Sequence, residues 1–104
     1  MVRFADIYDA RQYNNGSDII VADYFNCCIR RVNRHSRLVT TFAGTCRLNW
    51  NDVDVSTNAK NATFSSPVSL LYRKERDVFY YLLQVPTAII VEHDIIKGEI
   101  QVFT

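Results

Sequence analysis

Between Asp18 and Thr45 the sequence crowds three short apolar runs, IIVA, IRRV and VTTF, each closed by polar residues. Runs this short and this closely spaced fit strands joined by tight turns, because helices need about ten or more residues to bury a face. No long segment places apolar residues at i, i+3, i+4 and i+7, so the helical period is missing. An all-β fold follows from these features.

The strands can be placed in turn. Residues 2–8 (VRFADIY) are the weakest candidate. QYNNGSD then makes a turn, with Asn15-Gly16 as the hairpin signal. DIIVAD, CIRRVN and LVTTFAG follow as strands, separated by YFNC and NRHSR. The stretch from Gly44 to Ser66 is polar and reads as a long loop, anchored by Trp50 and Phe64. Strands resume with PVSLLY, DVFYYLL, AIIVEH and EIQVFT, separated by RKER, QVPT and DIIKG.

Four strands, a loop and four strands make an internal repeat. Asp18-Ile19-Ile20 answers to Asp77-Val78-Phe79, and Leu38–Phe42 answers to Glu99–Phe103, at an offset of roughly 60 residues. The units are residues 1–45 and 67–104, with 46–66 as the loop between them.

A chain of 104 residues holds one small domain or part of a larger one. Twelve basic and eleven acidic residues give a formal charge of +1, so bulk charge does not mark a nucleic-acid binder. No apolar run approaches the ~20 residues of a membrane-spanning helix. The opening MVRFADIYDARQ carries Asp6 and Asp9 and has no apolar core, so it does not read as a signal peptide. The chain is then either intracellular or without its natural beginning, and the second is the expectation. Three cysteines are too few for a disulfide scaffold. Adjacent Cys27 and Cys28 point to opposite faces of a strand, so at most one readily meets Cys46.

The first unit resembles an NHL repeat. Val21-Ala22-Asp23, Asn26, Ile29-Arg30-Arg31-Val32 and Val39-Thr40-Thr41-Phe42-Ala43-Gly44-Thr45 follow the order of that repeat, and Ala62-Thr63-Phe64-Ser65-Ser66-Pro67 matches the opening of its next blade. The resemblance covers residues 18–72. In the second unit it rests on strand order, since Val78–Leu82 lacks the aspartate and the following asparagine. The likeness implies two four-stranded antiparallel blades of a β-propeller. Blades buried on both faces would explain strands without clean alternation. Propellers of this kind have around six blades, so two would be incomplete. The chain would be a fragment or a subunit that self-associates.

The same likeness implies roles for single residues. Asp23 and Asn26 would fix the turn after the second strand by bonding backbone N–H groups. Gly44 would supply a backbone geometry that side chains block. Cys28 would pair with Cys46, leaving Cys27 outside the bridge, although three reduced cysteines are the alternative. Asn15-Gly16-Ser17 and Asn61-Ala62-Thr63 are glycosylation triplets in loops. The pairing and the triplets point to a secreted or extracellular protein, with the cytoplasm as alternative.

Chemistry beyond this is sparse. His35 and His93 lack metal-ligand spacing and read as solvated turn residues. No phosphate-binding or nucleophile-elbow motif occurs, and no cofactor is expected. Arg30, Arg31, Arg34 and Arg37 form a candidate binding patch, although a solvated blade edge is the favoured reading of them. Tyr72, Phe79, Tyr80 and Tyr81 read as core, with a peptide-binding surface as the alternative. The expected function is non-catalytic binding of a protein or other ligand within a larger protein. A metal-dependent propeller lyase or hydrolase and an RNA-binding propeller are the alternatives.

Overall fold

Left-handed backbone at Asn14, Asn15 and Gly16 turns the chain back on itself, with φ of 52°, 54° and 85°. Asparagine and glycine tolerate that region best, so the sequence NNG makes the reversal cheap. The Gly16 N–H donates to the Tyr13 carbonyl at 3.2 Å and the Ser17 N–H to that of Asn14 at 3.1 Å. The turn joins strands β1 (Ile7–Tyr13) and β2 (Asp18–Asp23) with Tyr13 opposite Asp18. In the computed structural model the described residues are 4, 6–46, 58–84 and 88–103.

The remaining strands are β3 (Cys28–Asn33), β4 (Val39–Ala43), β5 (Pro67–Arg73), β6 (Val78–Leu83), β7 (Ile89–Asp94) and β8 (Glu99–Val102). They form two four-stranded antiparallel sheets in the orders β1-β2-β3-β4 and β5-β6-β7-β8. The all-β, two-unit expectation therefore holds as two blade-like sheets. Of the first strand expected at residues 2–8, residues 2, 3 and 5 lie outside the described residues; β1 takes in Ile7 and Tyr8 and runs on directly into the hairpin. Its sequence IYDARQY hid it because Asp9 and Arg11 turn to the edge of the other sheet rather than alternating with apolar residues.

The repeat is visible in the pairing. Ile7 faces Asp23 and Asp9 faces Ala22, with a bulge between; Pro67 faces Leu83 and Ser69 faces Leu82, with a bulge at the same place. Tyr13 and Asp18 correspond in this way to Arg73 and Val78, a constant shift of 60. The sequence alignment of Asp18 with Asp77 is thus one residue out, and Asp77 lies in the turn. Beyond the β6–β7 connection the shift becomes 61, and Val32 opposite Val39 answers to His93 opposite Ile100. That agrees with the correspondence of Leu38–Phe42 with Glu99–Phe103. The β3–β4 and β7–β8 turns also match. Asn33 Oδ1 accepts from the Ser36 N–H at 2.9 Å, and Asp94 Oδ1 from the Lys97 N–H at 3.1 Å.

The sheets pack face to face, with β1 and β2 meeting β5. Between them lie Ile20, Ala22 and Ile29 from one sheet and Leu70, Phe79, Tyr81 and Val91 from the other. Fully burying each of the larger aliphatic or aromatic side chains among them contributes about 1.5–3 kcal/mol. Phe42 joins the core through edge contacts with Tyr13 and Phe79 at 5.7 and 5.6 Å. At the inner edge β5 has no strand partner on its β1 side among the described residues, and side chains take that place. Asp9 Oδ2 accepts from the Leu70 N–H at 2.8 Å, and Arg11 Nε donates to the Leu70 carbonyl at 3.1 Å.

The described part of the segment before β5, residues 58–66, is less open than a surface loop. Ala59, Ala62, Phe64, Ser65 and Ser66 are buried, and Asn58 bridges to Glu99. Phe64 is an anchor as expected; Trp50 lies outside the described residues.

Candidate functional site

Two sheets that diverge from their packed inner strands leave a wedge near β4 and β7. It is a cleft of about 610 Å³, bordered by Arg31, Thr40, Phe42, Asn58, Lys60 and His93 among others. Its floor is aromatic, with the Phe42 and His93 rings 5.2 Å apart. Its walls carry amides, hydroxyls and two cationic groups, so it presents both apolar area and polar partners to a ligand.

His93 is buried, not a solvated turn residue. The sequence placed it at a strand end, but it faces the core opposite Ile100 and shares a hydrogen bond with the Tyr81 hydroxyl through Nδ1. Burial drives its pKa down to about 4 against the opposing pull of Asp94 and Asp77. The ring is therefore neutral near pH 7. The Tyr81 phenol is pushed well up by its burial. His35 is exposed, and its N–H donates to Asn33 Oδ1 at 3.0 Å.

The arginine quartet is not gathered into one patch. Arg30 and Arg31 are neighbours in β3 and leave opposite faces. Arg31 donates twice to Asp18 Oδ2, from Nε at 3.0 Å and Nη2 at 2.6 Å, and sits 5.6 Å from the Tyr13 ring centroid. Asp18 also accepts from Asn14 and Asn33, at 2.8 and 3.2 Å. Burial of this carboxylate would raise its pKa, but the bonds from Asn14, Arg31 and Asn33 outweigh it and hold the pKa below the usual value. Arg30 lies on the other face, 3.5 Å from Asp23 and 3.3 Å from the Thr41 hydroxyl. Arg34 donates to the Gly16 carbonyl at 2.8 Å, and Arg37 takes a left-handed turn position with φ of 62°.

The motif residues of the first sheet are locked together. Asn26 Nδ2 donates to the buried Asp23 carboxylate at 2.8 Å. Cys28 and Cys46 form a disulfide with their Cα atoms 4.7 Å apart, and Cys27 is buried outside it. Gly44 has φ of 89°, and its N–H donates to the Ala59 carbonyl at 2.8 Å. Asn15 and Asn61 are both exposed in turns.

One cluster escaped sequence reasoning. Asp77 Oδ1 accepts from Tyr72 at 2.7 Å and from Tyr13 at 3.1 Å, tying the first sheet to the second. Burial and then the bond to Asp77 raise both phenols above their ordinary value. Asp77 itself has φ of 54°. A DV dipeptide opening a strand was the available signal, but it named no partner.

Among the described residues no group of three or more His, Cys, Asp or Glu is placed to hold a metal ion. Among them also no helix is long and apolar enough to cross a membrane. No protein-family model matches the sequence, and no curated protein aligns with it significantly.

Proposed function

We propose that the chain forms two blades of an NHL-type, six-bladed β-propeller and serves as a non-catalytic scaffold that binds a protein or other ligand within a larger assembly. The observation that carries this reading is the seat of Phe64 on Gly44. These residues come from two of the separate motifs on which the NHL resemblance rests, Val39–Thr45 and Ala62–Pro67. A Cβ on Gly44 would come within 2.7 Å of the Phe64 ring. The two motifs thus meet in space between the two sheets, as a joint between successive blades would require.

The charged residues of the repeat support a scaffold role. Asp18 and Asp23 are engaged by Arg31, Asn26 and Arg30 at the ends of β2, so their chemistry goes into fixing turns. The disulfide, with Asn15 and Asn61 exposed, favours a secreted or extracellular setting. The ligand would lie in the cleft between the blades, where Phe42 offers apolar area beside Asn58 and Lys60.

Panning a peptide library against the oxidised chain tests this. Recovered peptides are expected to shift the resonances of Phe42 and His93 and to lose binding in Thr40→Arg, which fills the cleft mouth. Equal binding by that variant would overturn the cleft as the site. Turnover of lactone or peptide substrates with added divalent metal would overturn the non-catalytic reading. Tight, strongly salt-dependent binding of single-stranded RNA would replace it with nucleic-acid recognition.

A further inference from the structure

The repeat relates the two sheets residue by residue, so it also relates their faces. Ile20, Ala22, Ile29 and Phe42 of the first sheet face the second. The shifts of 60 and 61 carry them to Tyr80, Leu82, Ile90 and Phe103. In the first sheet the three aliphatic residues are 0% exposed, and Phe42 packs on Phe79. In the second sheet the equivalent face is uncovered. Ile90 is 42% exposed, Phe103 50%, and Leu71 beside them 62%. Tyr80 and Phe103 already stack edge to face at 5.3 Å, as core aromatics do. This face is built like a buried one.

The opposite face completes the pattern. The covered side of the second sheet presents Phe79, Tyr81 and His93. Their equivalents in the first sheet are Ile19, Val21 and Val32, on the side turned away from the second sheet, where Val21 is buried and Ile19 and Val32 are half-buried. There Ile19, Val32 and Val39 form a cross-strand apolar row.

We infer that these two faces bind each other: the second blade of one copy stacks on the first blade of another, repeating the joint already present within the chain. The inference rests on the two-blade reading above. Such a contact is heterologous, one surface meeting a different one, and it propagates until it closes. The occupant of the bare face is therefore a second copy of this chain, whose matching surface the same sequence supplies.

Sedimentation of the purified, oxidised chain over a range of concentrations tests it, together with substitutions on each face. Ile90→Arg and, independently, Leu71→Arg alter the offered face; Val32→Arg alters the receiving face. The wild type is expected to assemble with rising concentration into species whose masses are whole multiples of the monomer. Each variant alone should stay monomeric. An equal mixture of Ile90→Arg and Val32→Arg should stop at dimers, because it contains only one intact junction per pair. Assembly that neither face affects, or a mixture that stays monomeric, would overturn the inference. A monomeric wild type that keeps nuclear Overhauser contacts between Phe42 and Phe79 would overturn it and leave the two-blade reading standing. A monomer without those contacts would overturn both.

Discussion

Phe64 lays its ring against the bare Cα of Gly44, so close that a Cβ there would sit 2.7 Å from Cδ2 and 3.3 Å from the Cys27 carbonyl oxygen. Phe64 is fully buried, and the Gly44 backbone is left-handed at φ of 89°. Gly44→Ala therefore meets two penalties, an αL cost for a residue with a Cβ and overpacking against a ring that cannot retreat. Together they should destabilise the fold by about 3 kcal/mol. Urea denaturation measures it. A loss within experimental error would show that the joint is looser than described.

The Cys28–Cys46 bridge closes a separation of 18 residues. Reduction should cost about 3 kcal/mol and lower the melting temperature by roughly 10–20 °C in a domain of this size. Intact mass should rise by two hydrogens on reduction, in the wild type and in Cys27→Ala alike. Loss of the mass difference in Cys27→Ala would mean that the bridge uses the wrong cysteine.

Stability should fall in mild acid because of His93. Its folded pKa is about 4, against about 6.5 for an unperturbed histidine. The unfolded chain therefore binds the proton first. This contribution is complete above pH ~6.5 and is lost progressively as pH falls towards ~4, by about 3 kcal/mol at most. His93→Gln should flatten the slope of stability across that window. An unchanged slope would mean that the ring is more hydrated than its position implies. Asp18, held below the usual carboxylate pKa, acts at lower pH: its contribution is present above the unfolded value and is lost as pH falls through the folded one.

Arg37 and Gly98 occupy the same place in the two outer turns, with φ of 62° and 70°. The Arg37 N–H donates to the Asn33 carbonyl at 2.8 Å and the Gly98 N–H to that of Asp94 at 2.9 Å. Arg37→Gly should be neutral or stabilising by up to about 1 kcal/mol, since it relieves an αL side chain at some entropic cost. Gly98→Ala should cost about 1 kcal/mol through backbone alone, because nothing lies within 4 Å of the added Cβ. A destabilising Arg37→Gly together with a neutral or stabilising Gly98→Ala in thermal denaturation would break the equivalence of the two turns.

Much of the fold was legible because short apolar runs and an NNG turn admit few arrangements. IIVA lacks alternation because Ile20 and Ala22 face the other sheet while Val21 is buried on the reverse side. The run of the first strand on to Tyr13 is hidden in the sequence because its side chains serve a neighbouring backbone edge: Asp9 and Arg11 bond the Leu70 backbone, which no local pattern reveals. His93 was misread for a related reason. A histidine in VEHD has polar neighbours in sequence, but the period of two turns Val91 and His93 inward together, and the partner Tyr81 comes from another strand. Asp18 and Arg31 were each visible as charges, yet their pairing depends on register, which is a property of two strands.

The central claim is that two sheets related by the repeat pack face to face as neighbouring blades. Nuclear Overhauser contacts between the rings of Phe42 and Phe79 test it most directly, since these residues come from different sheets and their centroids are 5.6 Å apart. The account predicts clear cross-peaks between them in the oxidised chain, alongside those of Tyr13 with Tyr72 at 5.2 Å. Strong contacts within each sheet but none between these rings would contradict it.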